Sequence, residues 1–97
     1  MDRIEKKFHE LKKARQKALV VFLTGGDPSL SKNEALILAL EKEGVDLVEI
    51  GVPFSDPLAD GPVIQASSQR SLERGTTLEK ILGMVRRVRR HSEIPLA

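Results

Sequence analysis

Apolar and polar positions divide the chain into helix-like and strand-like stretches in regular succession. Over residues 2–16, Ile4, Phe8 and Leu11 fall at i, i+4 and i+7 with charged residues between them, the pattern of a helix with one apolar face. Residues 18–24, ALVVFLT, form an unbroken apolar run rich in β-branched side chains, as in a strand buried on both faces of a parallel sheet. Gly25-Gly26-Asp27-Pro28 stops it. Ser31 and Glu34 have the spacing of a capping box, so a helix is predicted over about 32–43, ending at Gly44. A second strand, VDLVEIG, is expected at 45–51, followed by a loop, VPFSDPLADGP, with three prolines in eleven positions. Residues 63–74 read as helix up to Gly75, and Thr76 with Glu79 repeats the capping-box spacing. The helix it predicts, about 77–91, carries Leu78, Ile81, Leu82, Val85 and Val88 on one stripe. Ile94-Pro95-Leu96-Ala97 opens another apolar run, read as the start of a third strand.

Strands alternating with helices at this spacing indicate right-handed βαβ units and a parallel sheet. Two architectures use them, an open doubly wound sheet and a (β/α)8 barrel. Neither a Gly-x-Gly-x-x-Gly nor a Gly-Lys-Ser/Thr string follows the first strand, so the nucleotide fingerprints are absent. A barrel takes about 250 residues. Ninety-seven would supply only part of one, and residues 1–97 are read as a single partial domain.

Composition narrows the chemistry. Hydrophobic residues at 40% and charged ones at 31% describe an ordinary globular chain. The absence of cysteine excludes disulfides, thiolate metal sites and cysteine nucleophiles, and His9 and His91 lie too far apart in polar stretches to suggest a metal site. Three Phe with no Trp or Tyr argue against base-stacking platforms for nucleic acid. No apolar run approaches the roughly 18 residues of a membrane span, and the charged N-terminus lacks a signal-peptide core, so a cytoplasmic chain is expected.

Strand alternation puts Leu47 and Glu49 on one face and Val48 and Ile50 on the other. In a barrel the first pair would point inward, making Glu49 a carboxylate in a packed interior near the catalytic end of its strand. The competing reading is a carboxylate at an open strand edge or paired with a base. For the first strand the inward set is Leu19, Val21 and Leu23, or the set one residue out of register. Asp60, eleven positions after Glu49, lies in the following loop and has the position of a second acid–base group. Asp27, Asp56 and Asp60 each precede Gly or Pro, which turn chemistry alone explains.

The string Glu49-Ile50-Gly51-Val52-Pro53-Phe54-Ser55-Asp56-Pro57-Leu58-Ala59-Asp60-Gly61-Pro62, with Ile64-Gln65, closely resembles the signature of the tryptophan synthase α-subunit family. Phe22-Leu23-Thr24-Gly25-Gly26-Asp27-Pro28 resembles that family's first strand and loop, and a leading helix matches the one that plugs its barrel floor. The resemblance implies the N-terminal β/α units of a (β/α)8 TIM barrel, about the first third, with the barrel incomplete in this chain. It implies a lyase of tryptophan biosynthesis that cleaves indole-3-glycerol phosphate, by retro-aldol chemistry, to indole and glyceraldehyde 3-phosphate. Glu49 would be the proton shuttle, Asp60 the partner of the indole N–H, and Phe22 part of the indole pocket. It further implies an α2β2 assembly in which indole passes to a β-subunit, with Pro53, Asp56 and Pro57 toward that partner. No cofactor is implied on this subunit, since pyridoxal phosphate belongs to the β-subunit. The phosphate grip of such barrels lies in later strands, and Gly25-Gly26 beside acidic Asp27 does not replace it.

Two rival readings come from other classes. Arg86, Arg87, Arg89 and Arg90 have the density of a nucleic-acid or acidic-partner patch, though a solvated helix face explains them as well. The alternative to an enzyme is a catalytically incomplete, self-associating βαβ piece.

Overall fold

The two apolar runs pair side by side as parallel strands, and everything else is arranged around that pair. The structure, a computed structural model, describes residues 1–55 and 59–97. Its elements are α1 (Arg3–Lys13), β1 (Val20–Thr24), α2 (Leu30–Lys42), β2 (Leu47–Gly51), α3 (Pro62–Glu73) and α4 (Leu78–Val88). The order is the one expected, with each strand shorter than its apolar run by two residues at the N-terminal end.

Register decides the faces. Val20 pairs with Leu47, Phe22 with Glu49 and Thr24 with Gly51, so these residues share one side of the sheet. Val21, Leu23, Val48 and Ile50 take the other side, against α2 and α4. Of the two sets offered for the inward face of the first strand, the structure therefore selects the one out of register, Val20 and Phe22. The main core cluster lies on the helix side: Leu23, Val45 and Val48 from the sheet and its approach, Ile37 from α2, Ile81, Met84 and Val88 from α4, and Ile94. Apart from it, Leu47 on the other face and Leu11 of α1 are also buried. Residues 95–97 add to the free edge of β2 in parallel. The Val48 N–H donates to the Pro95 carbonyl at 3.0 Å, and the Ala97 N–H donates to the Val48 carbonyl at 3.0 Å.

Helix boundaries differ from the expected caps for nonlocal reasons. α2 is capped by Ser29, whose Oγ accepts from the Lys32 N–H at 3.1 Å; Ser31 is not the cap. Glu34, expected to close the box, instead accepts from Arg87 Nε of α4 at 2.9 Å. α4 is capped by Thr77, not Thr76, because Thr76 is buried against Gly26. Its buried residues are Ile81, Met84 and Val88, while Leu78 and Leu82 of the expected stripe are half exposed. Both helices preceding a reversal end at a glycine with positive φ, Gly44 at 99° and Gly75 at 77°, a backbone that side chains resist.

At the opposite end from the site, α1 lies near the N-terminal ends of the strands. A cleft of about 530 Å³ separates Arg3, Lys6 and Glu10 from Gly44, Val45 and Asp46, and Arg3 pairs with Glu93. Asp46 ties the strand starts together, its Oδ2 accepting from the Leu19 N–H at 2.8 Å while its own N–H donates to the Leu19 carbonyl at 3.0 Å. Among the described residues no helix is long and apolar enough to cross a membrane.

Candidate active site

The carboxyl ends of β1 and β2 carry the residues with chemistry. Phe22 and Glu49 are register partners, so strand pairing alone sets them side by side on the face away from the helices. The Phe22 ring extends over β2: a Cβ on Gly51 would stand 2.5 Å from its Cζ, so any larger residue there would push the ring aside. The ladder continues past the strand end, the Gly25 N–H donating to the Gly51 carbonyl at 2.8 Å.

A closed barrel would hold Glu49 in a packed interior, and the competing reading is a carboxylate at an open strand edge. Glu49 is exposed, as is Phe22 at 44%. The direction is as expected, but the wall that would enclose the two side chains is not supplied by residues 1–97. Among the described residues no ion pair or hydrogen bond engages the Glu49 carboxylate.

Asp60 is exposed and lies in the loop after β2, just ahead of Gly61, the N-cap of α3. Its carbonyl accepts from Gln65 Nε2 at 2.6 Å, which fastens the loop's end to the first turn of α3. Pro53 is buried at the start of this loop. Asp56 and Pro57 lie outside the described residues. Pairing thus unites Phe22 and Glu49, whereas Asp60 is brought to the same end of the sheet only by the loop that follows β2.

α3 is unusual in what it buries. Its buried residues are Ser67, Ser68 and Ser71, whereas Val63 is 79% exposed. The serines face the loop after β1. The Ser71 hydroxyl donates to the Gly25 carbonyl at 2.6 Å. Ser67 Oγ donates to the Ile64 carbonyl at 2.9 Å and so receives the Thr24 hydroxyl, 2.7 Å away. Arg70 donates from Nε and Nη2 to the two oxygens of Asp27, at 3.0 and 2.9 Å. Asn33 of α2, 1% exposed, accepts from the Gly26 N–H at 2.6 Å and donates to the Asp27 carbonyl at 3.1 Å. None of Asn33, Ser67, Arg70 and Ser71 stood out in the sequence. The available signal was a helix with polar residues at i, i+3 and i+4, Ser67, Arg70 and Ser71.

The basic segment at the end of α4 is partly engaged. Besides the Arg87–Glu34 pair, Arg89 donates to the Ile94 carbonyl at 2.7 Å, and its burial lowers its pKa from the usual arginine value. Among the described residues no group of three or more His, Cys, Asp or Glu is placed to hold a metal ion.

Known proteins share this fold and sequence. Residues 8–97 match the family model of the tryptophan synthase alpha chain. The alpha chain of Geotalea uraniireducens is 60% identical over 96 residues, covering 99% of this chain and 36% of its own length. The crystal structure of tryptophan synthase subunit alpha from Legionella pneumophila superposes with a TM-score of 0.96 at 41% identity, over 99% of this chain and 37% of that one. A structure of the tryptophan synthase α2β2 complex from the hyperthermophile Pyrococcus furiosus matches with a TM-score of 0.77 at 42% identity, over 81% and 32% of the two chains. The chain spans a little over a third of the length of the curated relatives it matches.

The fold is therefore the leading helix and first β/α units of a TIM barrel, with the barrel not closed by these residues. The chain belongs to the tryptophan synthase alpha chain family.

Proposed function

We propose that residues 1–97 form one wall of the active site of a lyase that cleaves indole-3-glycerol phosphate to indole and glyceraldehyde 3-phosphate. The observation that carries this reading is the Phe22–Glu49 register pair, an aromatic ring and a carboxylate side by side at the carboxyl end of a barrel wall. Retro-aldol cleavage protonates indole C3 to give a protonated indolenine, whose N–H is strongly polarised, and then removes the glycerol hydroxyl proton. The carbon–carbon bond breaks as its electron pair returns to the ring, releasing indole and the aldehyde. Glu49 moves the proton between hydroxyl and C3. Asp60 presents a fixed negative charge to the indole N–H, and Phe22 lines the slot that holds the ring.

This chemistry needs two carboxylates and no cofactor on this chain; pyridoxal phosphate serves the β-subunit. The α2β2 assembly of the Pyrococcus furiosus relative supports a β-subunit partner here; that Pro53, Asp56 and Pro57 meet this partner is what the family resemblance implies. The substrate phosphate would be held by residues outside this segment.

A full-length alpha chain carrying this N-terminal segment is expected to release indole from indole-3-glycerol phosphate. Asp60→Asn should lower kcat about 10²-fold or more, the loss expected when one charge-stabilising group is removed. Asp60→Glu should retain a trace. Full activity in Asp60→Asn would make Asp60 a turn residue, and no indole release from the unmodified chain would overturn the reading.

A further inference from the structure

Between the loop after β1 and α3 runs a seam that the proposed chemistry does not use. Its inner part is buried: Ser67 and Ser71 fasten α3 to Thr24 and to the Gly25 carbonyl. Its outer part is the two-point contact of Arg70 with Asp27, whose carboxylate side chain is 15% exposed. A bidentate guanidinium–carboxylate contact constrains angle as well as distance. The loop side of the seam is itself held, because Asn33 uses both ends of its amide to bind Gly26 and Asp27. α3 is the carried side, a stiff rod whose first turn binds the Asp60 carbonyl through Gln65. At 1.5 Å per residue, Arg70 lies about 12 Å along that rod from Pro62. With the two serines as a buried pivot, the contact at Arg70 sets the tilt, and a change of tilt moves Asp60.

We propose that Arg70 and Asp27 are positioning residues, whose contact fixes the tilt of α3 and thereby places Asp60 relative to the Phe22–Glu49 pair. The inference rests on the lyase reading, in which Asp60 addresses the indole N–H. It assigns the acidic residue of the β1 turn a task other than turn formation or phosphate contact.

The test uses a full-length alpha chain carrying residues 1–97. Arg70→Met and Asp27→Asn should each lower kcat about tenfold or more, as small misplacements of a reacting group do. KM should change by less than about threefold, since the ground-state contacts are kept. Tm should fall by only about 3 °C, as for loss of an ion pair whose guanidinium is solvated. The exchanged pair, Asp27→Arg with Arg70→Asp, should recover most of the lost kcat, as coupled neighbours do. In Arg70→Met, amide hydrogen exchange should rise across residues 59–65 and stay unchanged at Gly25 and Ile50. That readout does not depend on turnover: if it responds while the chain cleaves no indole-3-glycerol phosphate, the positioning contact stands and the lyase reading falls. Unchanged exchange at 59–65, kcat within twofold of the unmodified chain, or a kcat loss that follows Tm and is not recovered by the exchanged pair would each overturn the proposal.

Discussion

Val48 and Glu49 are neighbours in the chain with opposite surroundings. Val48 is fully buried among Leu23, Ile37, Met84 and the rest of the core, whereas Glu49 stands exposed with Phe22 on the far side of the same strand pair. On the helix side, 97 residues suffice to complete a core. On the other face Leu47 is buried, but Val20 and Phe22 remain 41% and 44% exposed. The helix side holds the fold together. The open side keeps apolar surface and a carboxylate in a position that only an enclosing wall turns into a pocket.

The largest effect expected from this contrast concerns the 97-residue chain by itself. Burying a large apolar side chain is worth about 1.5–3 kcal/mol, and Val20 and Phe22 are left uncovered on the open face. The outer edge of β1 also offers unpaired backbone groups to another copy. The isolated chain should therefore self-associate or melt without a sharp transition, and show no cleavage of indole-3-glycerol phosphate. A monodisperse monomer with a cooperative melt, seen by sedimentation and calorimetry, would break the comparison.

A smaller effect separates two residues of α4 in a full-length alpha chain. Met84, completely buried, should cost about 2–5 kcal/mol when changed to alanine. Leu82, 50% exposed on the same helix, should cost less than about 1 kcal/mol. Urea unfolding measures both, and equal losses would mean that α4 presents a different face to the sheet.

The smallest effect lies at the far end. A hydrogen bond from Arg3, reinforced by its charge, holds the Glu93 carboxyl below its usual range. A carboxylate lowered in the folded state adds stability above its unfolded pKa, and that stability is lost as pH falls through the folded value. The stabilisation should be present at neutral pH and disappear below about pH 4. Tm against pH should fall more steeply for the unmodified chain than for Glu93→Gln, and salt should narrow the gap.

Much of this frame was legible in the sequence. The apolar run at 18–24 and the alternating one at 45–51 announced two parallel strands, and Gly44 and Gly75 marked helix ends. The burial of β1 on both faces does not hold in these residues, where Val20 and Phe22 are exposed. Long-range contacts moved the caps: Glu34 goes to Arg87, and Thr76 packs on Gly26, so Ser29 and Thr77 serve instead. The inward face of β1 was ambiguous because an apolar run has no alternation to read, and only pairing with β2 settles it. The direction of Glu49 followed from its alternating strand, but its exposure did not, since that depends on what encloses the sheet. The seam at Arg70 was hidden for a different reason. A helix that buries serines against a backbone turn has the composition of a solvated one.

One crossed measurement bears most directly on the division between the two faces: thermal stability and indole release, compared for Val48→Ala and Glu49→Gln in a full-length alpha chain. Val48→Ala should lower Tm by several degrees, as a cavity in a small core does, and keep kcat within about twofold. Glu49→Gln should leave Tm essentially unchanged and reduce turnover by at least about 10²–10⁴-fold, the contribution of a positioned proton-transfer group. Turnover within a few-fold of the unmodified chain in Glu49→Gln would contradict the account.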